Sequence, residues 1–198
     1  MTNKEQDDRS DEYAHFVSSG FPYSEHVEML EQQGGKDGDQ RGAVHTPTDE
    51  GYHDWSFSIP VPASWTRPLE EHPDMLRARH IADFILNAPS DKPVAAWCSL
   101  GAPHPPLLVP EPYMSMFDPA DMEPPPGFGE DMSEMPEAVT ESPGAQSVRG
   151  WGWEQWSVAI AAYRGFVAFA DACHGVVLDA LEKSGRADDA IVIMSCDH

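Results

Sequence analysis

The last residues of the chain join an apolar, β-branched run to an acid and an imidazole: Ile191-Val192-Ile193-Met194-Ser195-Cys196-Asp197-His198. A carboxylate and a neutral imidazole are both ligands for divalent metals. A third residue of the same kind, His104, stands in the proline-dense segment Gly101–Pro112 (GAPHPPLLVPEP). Taken singly, each has a plain reading. Asp197 and His198 could be solvated polar residues after a strand, and His104 could be a surface-loop imidazole. Whether they do chemistry depends on the elements that carry them.

A continuous β-branched run reads as a buried parallel strand. In open α/β sheets, ligands bind just beyond the carboxyl ends of such strands. A second apolar run, Val94 to Leu100, ends four residues before His104. A helix is expected from Pro73 to Asn87, with Pro73 in its first turn and Leu76, His80, Ile81, Phe84 and Ile85 at helical spacing. Asp91-Lys92-Pro93 then makes a turn. The longest helix is expected over Glu154–Ser184. Trp156, Ile160, Tyr163, Val167, Ala170, His174, Val177 and Leu181 trace one face of it, and Gly185 closes it. Strands joined by a helical crossover imply a parallel sheet with helices on its faces. If the two strands are parallel, His104, Asp197 and His198 fall at one edge of the sheet. Gly101–Pro112 itself is too rich in proline for a helix or a central strand. Met122–Val148 is expected as a long surface excursion, Asp11–Gly20 as a short helix, Gln32–Gly51 as a loop and Phe57–Pro62 as an extended piece. Residues 1–10 are expected as disorder or linker, so the domain would run over 11–198.

Composition bounds the partners. The 34 Asp and Glu outnumber the 12 Lys and Arg, for a net charge of -22. Such a surface repels nucleic acid and anionic membrane faces, and an anionic substrate would need metal ions or local cations. The cysteines, Cys98, Cys173 and Cys196, form no CxxC pair and sit in apolar contexts, which points to reduced, buried thiols. No stretch is apolar enough to span a bilayer, and Met1–Asp11 is polar and acidic rather than a secretory signal. A cytoplasmic location follows as the expectation. Nothing in the composition sets an oligomeric state.

At these residues the chain resembles a known family. Ser99-Leu100-Gly101-Ala102-Pro103-His104-Pro105-Pro106, followed by Val109-Pro110-Glu111-Pro112-Tyr113, is similar to the "S-x-x-x-PHxP … P-x-x-Y" segment of sulfatases. Tyr163, Asp171 and Gly175 with Leu178-Asp179-Ala180-Leu181 resemble that family's "Y … D … G-x-x-L-x-x-L" helix. Asp188 to His198 resembles its "S-D-H-G" strand. The three motifs occur in the family's order, and the likeness covers roughly residues 55–198. It implies a partial alkaline-phosphatase-like domain, a three-layer α/β/α fold with a mainly parallel sheet. It also implies a hydrolase of small-molecule sulfate esters, of the arylsulfatase or phosphonate monoester hydrolase type. By this resemblance Asp197 and His198 correspond to metal ligands, for Ca²⁺, Mn²⁺ or Mg²⁺, and His104 to the histidine that contacts a substrate oxygen. The family's nucleophile is a Cys or Ser in C/S-x-P/A-x-R, the Cys being converted to formylglycine. None of the three cysteines has that context. The family's N-terminal acidic pair and its G-K-W-H-like segment are missing too. The expectation is therefore a central piece of a sulfatase-like domain, cut at both ends. It would hold part of a metal site and be inactive alone. The alternatives are a phosphonate monoester or phosphodiester hydrolase on the same scaffold, or a non-catalytic remnant.

Other conspicuous residues read as structure. Cys173 and His174 are adjacent on a helix and point about 100° apart, so they form no catalytic pair. Trp151, Trp153 and Trp156 seal a helix start, His80 lies on a helix face, and His53 and His72 are loop residues with no assigned role.

Overall fold

The computed structural model describes residues 60, 62–105 and 107–196. The expected linker at 1–10, the helix at Asp11–Gly20, the loop at Gln32–Gly51 and most of the extended piece at Phe57–Pro62 lie outside the described residues, as do Asp197 and His198. In chain order the main elements are β1 (Pro62–Ser64), α1 (Pro73–Asn87), β2 (Leu107–Val109), two short helices α2 (Glu137–Thr140) and α3 (Pro143–Ser147), and α4 (Trp153–Lys183). β1 and β2 pair in parallel, with Pro62 opposite Leu107 and Ser64 opposite Val109. The strand–helix–strand order with parallel strands is the α/β arrangement expected from sequence. The pairing continues one step, where the Trp65 N–H donates to the Val109 carbonyl at 2.9 Å.

β2 falls inside the segment whose prolines argued against a central strand. Leu107, Leu108 and Val109 are nonetheless buried. Three apolar residues between prolines keep their N–H groups, and the strand has a single partner, so the flanking prolines interrupt no ladder. The two runs expected as strands differ in the opposite way. Residues 93–100 and 190–196 have no regular secondary structure and pair with no described strand. Ile191 is 90% exposed, Ile193 83% and Trp97 77%. The strands expected there are not formed among the described residues, because β propensity alone makes no strand without a neighbour.

The chain divides into two compact units. In one, comprising described residues 60–72 and 101–171, the core forms around β2 and the first half of α4. Leu107, Leu108, Val109, Phe166 and Phe169 are buried. His72 is buried with them. Its ring lies edge-on to Phe169 at 4.5 Å and to Trp65 at 4.9 Å, and its Nε2 is 3.3 Å from the Leu108 carbonyl. A loop histidine with no expected role is thus a core residue, its apolar ring edge satisfied by aromatics and its nitrogen by backbone. Within 122–148, Ser142 accepts from the Ala145 N–H to start α3, and Glu141 takes both oxygens to Arg149 at 3.0 and 3.1 Å. Phe128 stacks edge-on to Trp153, and Trp151 to Trp156. That pairing gives the tryptophans the structural role expected of them.

The other unit comprises described residues 73–100 and 172–196. α1 buries Met75, Ala78, Ile81, Ala82 and Ile85, whereas His80 is exposed. Asp74, in its first turn, is buried and paired with Arg77 at 2.6 Å. α4 ends at Lys183, and Gly185 just past it has a φ of +73°, the left-handed cap that glycine adopts without strain.

The buried side of α4 is largely not the expected one. Of the expected face Ala170 is buried, but Tyr163 and Val167 are 47% and 44% exposed, while Ala159, Ala162, Phe166, Phe169, Cys173 and Ala180 are buried. The helix is apolar around most of its circumference, so two stripes fit the period. The covered one sets Phe166 and Phe169 among the small residues Ala159, Ala162, Cys173 and Ala180.

Candidate active site

His104 sits in a turn closed by its own N–H, which donates to the Gly101 carbonyl at 2.8 Å. Its Nδ1 contacts the Pro105 carbonyl at 2.5 Å. A carbonyl can only accept, so that contact requires the proton on Nδ1 and leaves Nε2 as the second nitrogen, an acceptor in the neutral ring and a donor in the imidazolium. The prolines on either side have fixed φ, and the peptide between Ala102 and Pro103 is cis. The imidazole is exposed, held by backbone on one edge and open to solvent on its surface.

The expected partners of His104 are not tested by this geometry, because Asp197 and His198 lie outside the described residues. The described part of their segment, 190–196, is exposed and without regular secondary structure. Among the described residues no group of three or more His, Cys, Asp or Glu side chains is placed to hold a metal ion. No helix among them is long and apolar enough to cross a membrane.

The thiols differ from one another more than the sequence suggested. All three are free, but only Cys173 is buried; Cys98 is half-buried and Cys196, next to Asp197, is exposed. Burial, helped by the Asp74 charge and by Cys98, pushes the Cys173 thiol from the ordinary 9.0 up to about 12. Burial and then Asp74 raise Cys98 as well, and Arg77 opposes them. A raised thiol pKa means the folded chain holds a proton that the unfolded chain releases. The contribution of Cys173 to stability is therefore intact below pH 9.0 and is lost as pH climbs toward about 12. Because the thiolate is the reacting form, maleimide labelling followed by mass spectrometry should modify Cys196 first and Cys98 more slowly. Cys173 should react only when the chain unfolds. Equal rates at Cys173 and Cys196 in the folded chain would contradict this burial.

Comparison with known proteins agrees with the motifs. The family model described as Sulfatase matches residues 15–198. A protein of Formosa agariphila named "Sulfatase" is 29% identical over 100 residues, an alignment covering 48% of this chain and 20% of that protein. The chain thus spans about a fifth of the length of that relative.

Proposed function

Because the chain belongs to the sulfatase family, we propose that it is the central part of a metal-dependent hydrolase of sulfate esters. Family membership makes it part of an α/β hydrolase of the alkaline-phosphatase-like kind. The finer reading rests on one observation: the His104 of the matched motif is presented at the surface, with Nδ1 engaged by backbone. In this reading His104 meets an oxygen of the ester, offsetting its charge or giving a proton to the leaving group. Asp197 and His198 would hold a divalent ion, Ca²⁺, Mn²⁺ or Mg²⁺, through an oxygen and a nitrogen. When bound, that ion would offset the charge of the ester oxygens and assist ionisation of the nucleophile. The nucleophile, a formylglycine made from Cys, comes from sequence outside these 198 residues, since Cys98, Cys173 and Cys196 all lack the C-x-P/A-x-R context.

The test is hydrolysis of p-nitrophenyl sulfate, beside a p-nitrophenyl phosphonate monoester, by the 198-residue chain and by the gene product read through both flanks. The expected result is turnover of the sulfate by a gene product carrying C-x-P/A-x-R, and none by the 198 residues alone. His104→Ala in the active protein should lower kcat by roughly 10²–10⁴-fold, the usual range for loss of a general acid. Turnover by the 198 residues alone would place a nucleophile within them and defeat the assignment. Preference for the phosphonate would select the sister activity, and flanks without a nucleophile motif would make the chain a non-catalytic remnant.

A further inference from the structure

Arg186 precedes a 3-10 turn at Ala187–Asp189 and the irregular segment 190–196. Its Nη2 donates to the carbonyls of Ala88 at 3.2 Å and Pro89 at 2.6 Å, and its Nη1 to the carbonyl of Lys92 at 3.4 Å. These acceptors lie just past the C-terminus of α1 and immediately before the irregular segment 93–100. One guanidinium therefore ties the start of one such segment to the start of another more than ninety residues away in sequence. The planar fork of arginine suits several diverging carbonyls, and a cation is favoured at the negative end of a helix. In a chain with 34 acidic residues, with Asp188 and Asp189 close by in sequence, the hydrogen bonds of Arg186 among the described residues all go to backbone carbonyls. Its chemistry is spent on holding a turn in place rather than on pairing charge. Segments 93–100 and 190–196 share no ladder, so their relative placement needs a tether of this kind.

The geometry points to Arg186 as a positioning residue, which fixes where segment 190–196, leading to Asp197-His198, starts against segment 93–100. This rests on the reading of Asp197 and His198 as metal ligands; the tether itself can be tested without metal. Nitroxide labels are placed on native Cys196 and on a Trp97→Cys variant, in a Cys98→Ser background. Trp97 is 77% exposed, and the buried Cys173 escapes labelling. Dipolar coupling in frozen solution then reports the spacing of the two segments. With Arg186 present, one narrow coupling is expected. Arg186→Ala and Arg186→Lys should both lose it to a broad spread while the helical circular dichroism is kept, since lysine retains the charge but not the fork. If the alanine variant fails to fold, the lysine variant decides. An unchanged coupling in folded Arg186→Lys overturns the proposal, because a residue that only adds stability leaves the folded spacing intact. The ligand reading is checked apart from this by titrating the chain with Mn²⁺ alone. Equal binding by the chain and by Asp197→Asn would remove that reading, and the purpose given to Arg186 with it, whatever the coupling does.

Discussion

Gly165→Ala is expected to destabilise the chain by about 3 kcal/mol, at the upper end of overpacking costs because the obstacle is backbone. A Cβ at position 165 would lie 2.1 Å from the Tyr113 carbonyl oxygen and 3.0 Å from its carbonyl carbon. A side-chain neighbour could rotate away, but this carbonyl cannot, because it accepts the Met116 N–H at 3.2 Å and so closes the turn after β2. Tyr113 also packs its ring against Phe169 at 5.4 Å. Moving the carbonyl would disturb β2, the turn and the aromatic core together. Gly175, in the same helix, supplies the control. Nothing lies within 4 Å of its would-be Cβ, so Gly175→Ala should stabilise α4 by up to about 1 kcal/mol through helix propensity. Urea midpoints of the two variants should therefore move in opposite directions. Movement in the same direction would mean that α4 does not cross the 110–116 turn as closely as described.

That pair of glycines also shows what could be read from sequence. Gly175 falls in a recognisable family motif, yet its surroundings are open. Gly165 belongs to no motif and sits at the tightest approach described, because closeness between segments fifty residues apart leaves no local pattern. The bounds of α1 were legible since Pro73 and the apolar spacing are local signals. The existence of α4 was legible for the same reason. Its buried face was not, because an apolar helix offers more than one plausible stripe and only the partner chooses between them. β2 was hidden by prolines that forbid a long ladder but permit three paired residues. The runs at 94–100 and 190–196 have strand composition but form no strand among the described residues, since pairing is a property of two segments and each run describes only itself. Of the candidate site, the motif singles out His104 in the sequence, and the structure adds to it only the backbone contact at Nδ1. His72 was misjudged because a lone histidine before a helix looks the same whether it faces solvent or a cage of aromatic rings.

The buried pair at the start of α1 should show the second large effect. The Asp74 side chain is 3% exposed and the Arg77 side chain 30%, with 2.6 Å between Nη1 and Oδ1. Arg77→Met keeps much of the aliphatic stem but removes the guanidinium from a carboxylate held away from water. Breaking such a pair from one side costs about 3 kcal/mol. The N–H groups of the first helical turn still favour the negative charge and limit the loss. The double variant Asp74→Asn, Arg77→Met removes the charge as well as the guanidinium and should recover a large part of that cost, since the penalty comes from a buried charge that has lost its cation rather than from a missing contact. The thiols provide a second readout that does not depend on global stability. The Asp74 charge raises the Cys98 thiol and Arg77 lowers it. Asp74→Asn should therefore speed labelling of Cys98, and Arg77→Met should slow it, in chains that remain folded. If both substitutions changed the labelling rate in the same direction, local opening rather than charge would control that thiol. The electrostatic coupling between the start of α1 and segment 93–100 would then have to be abandoned.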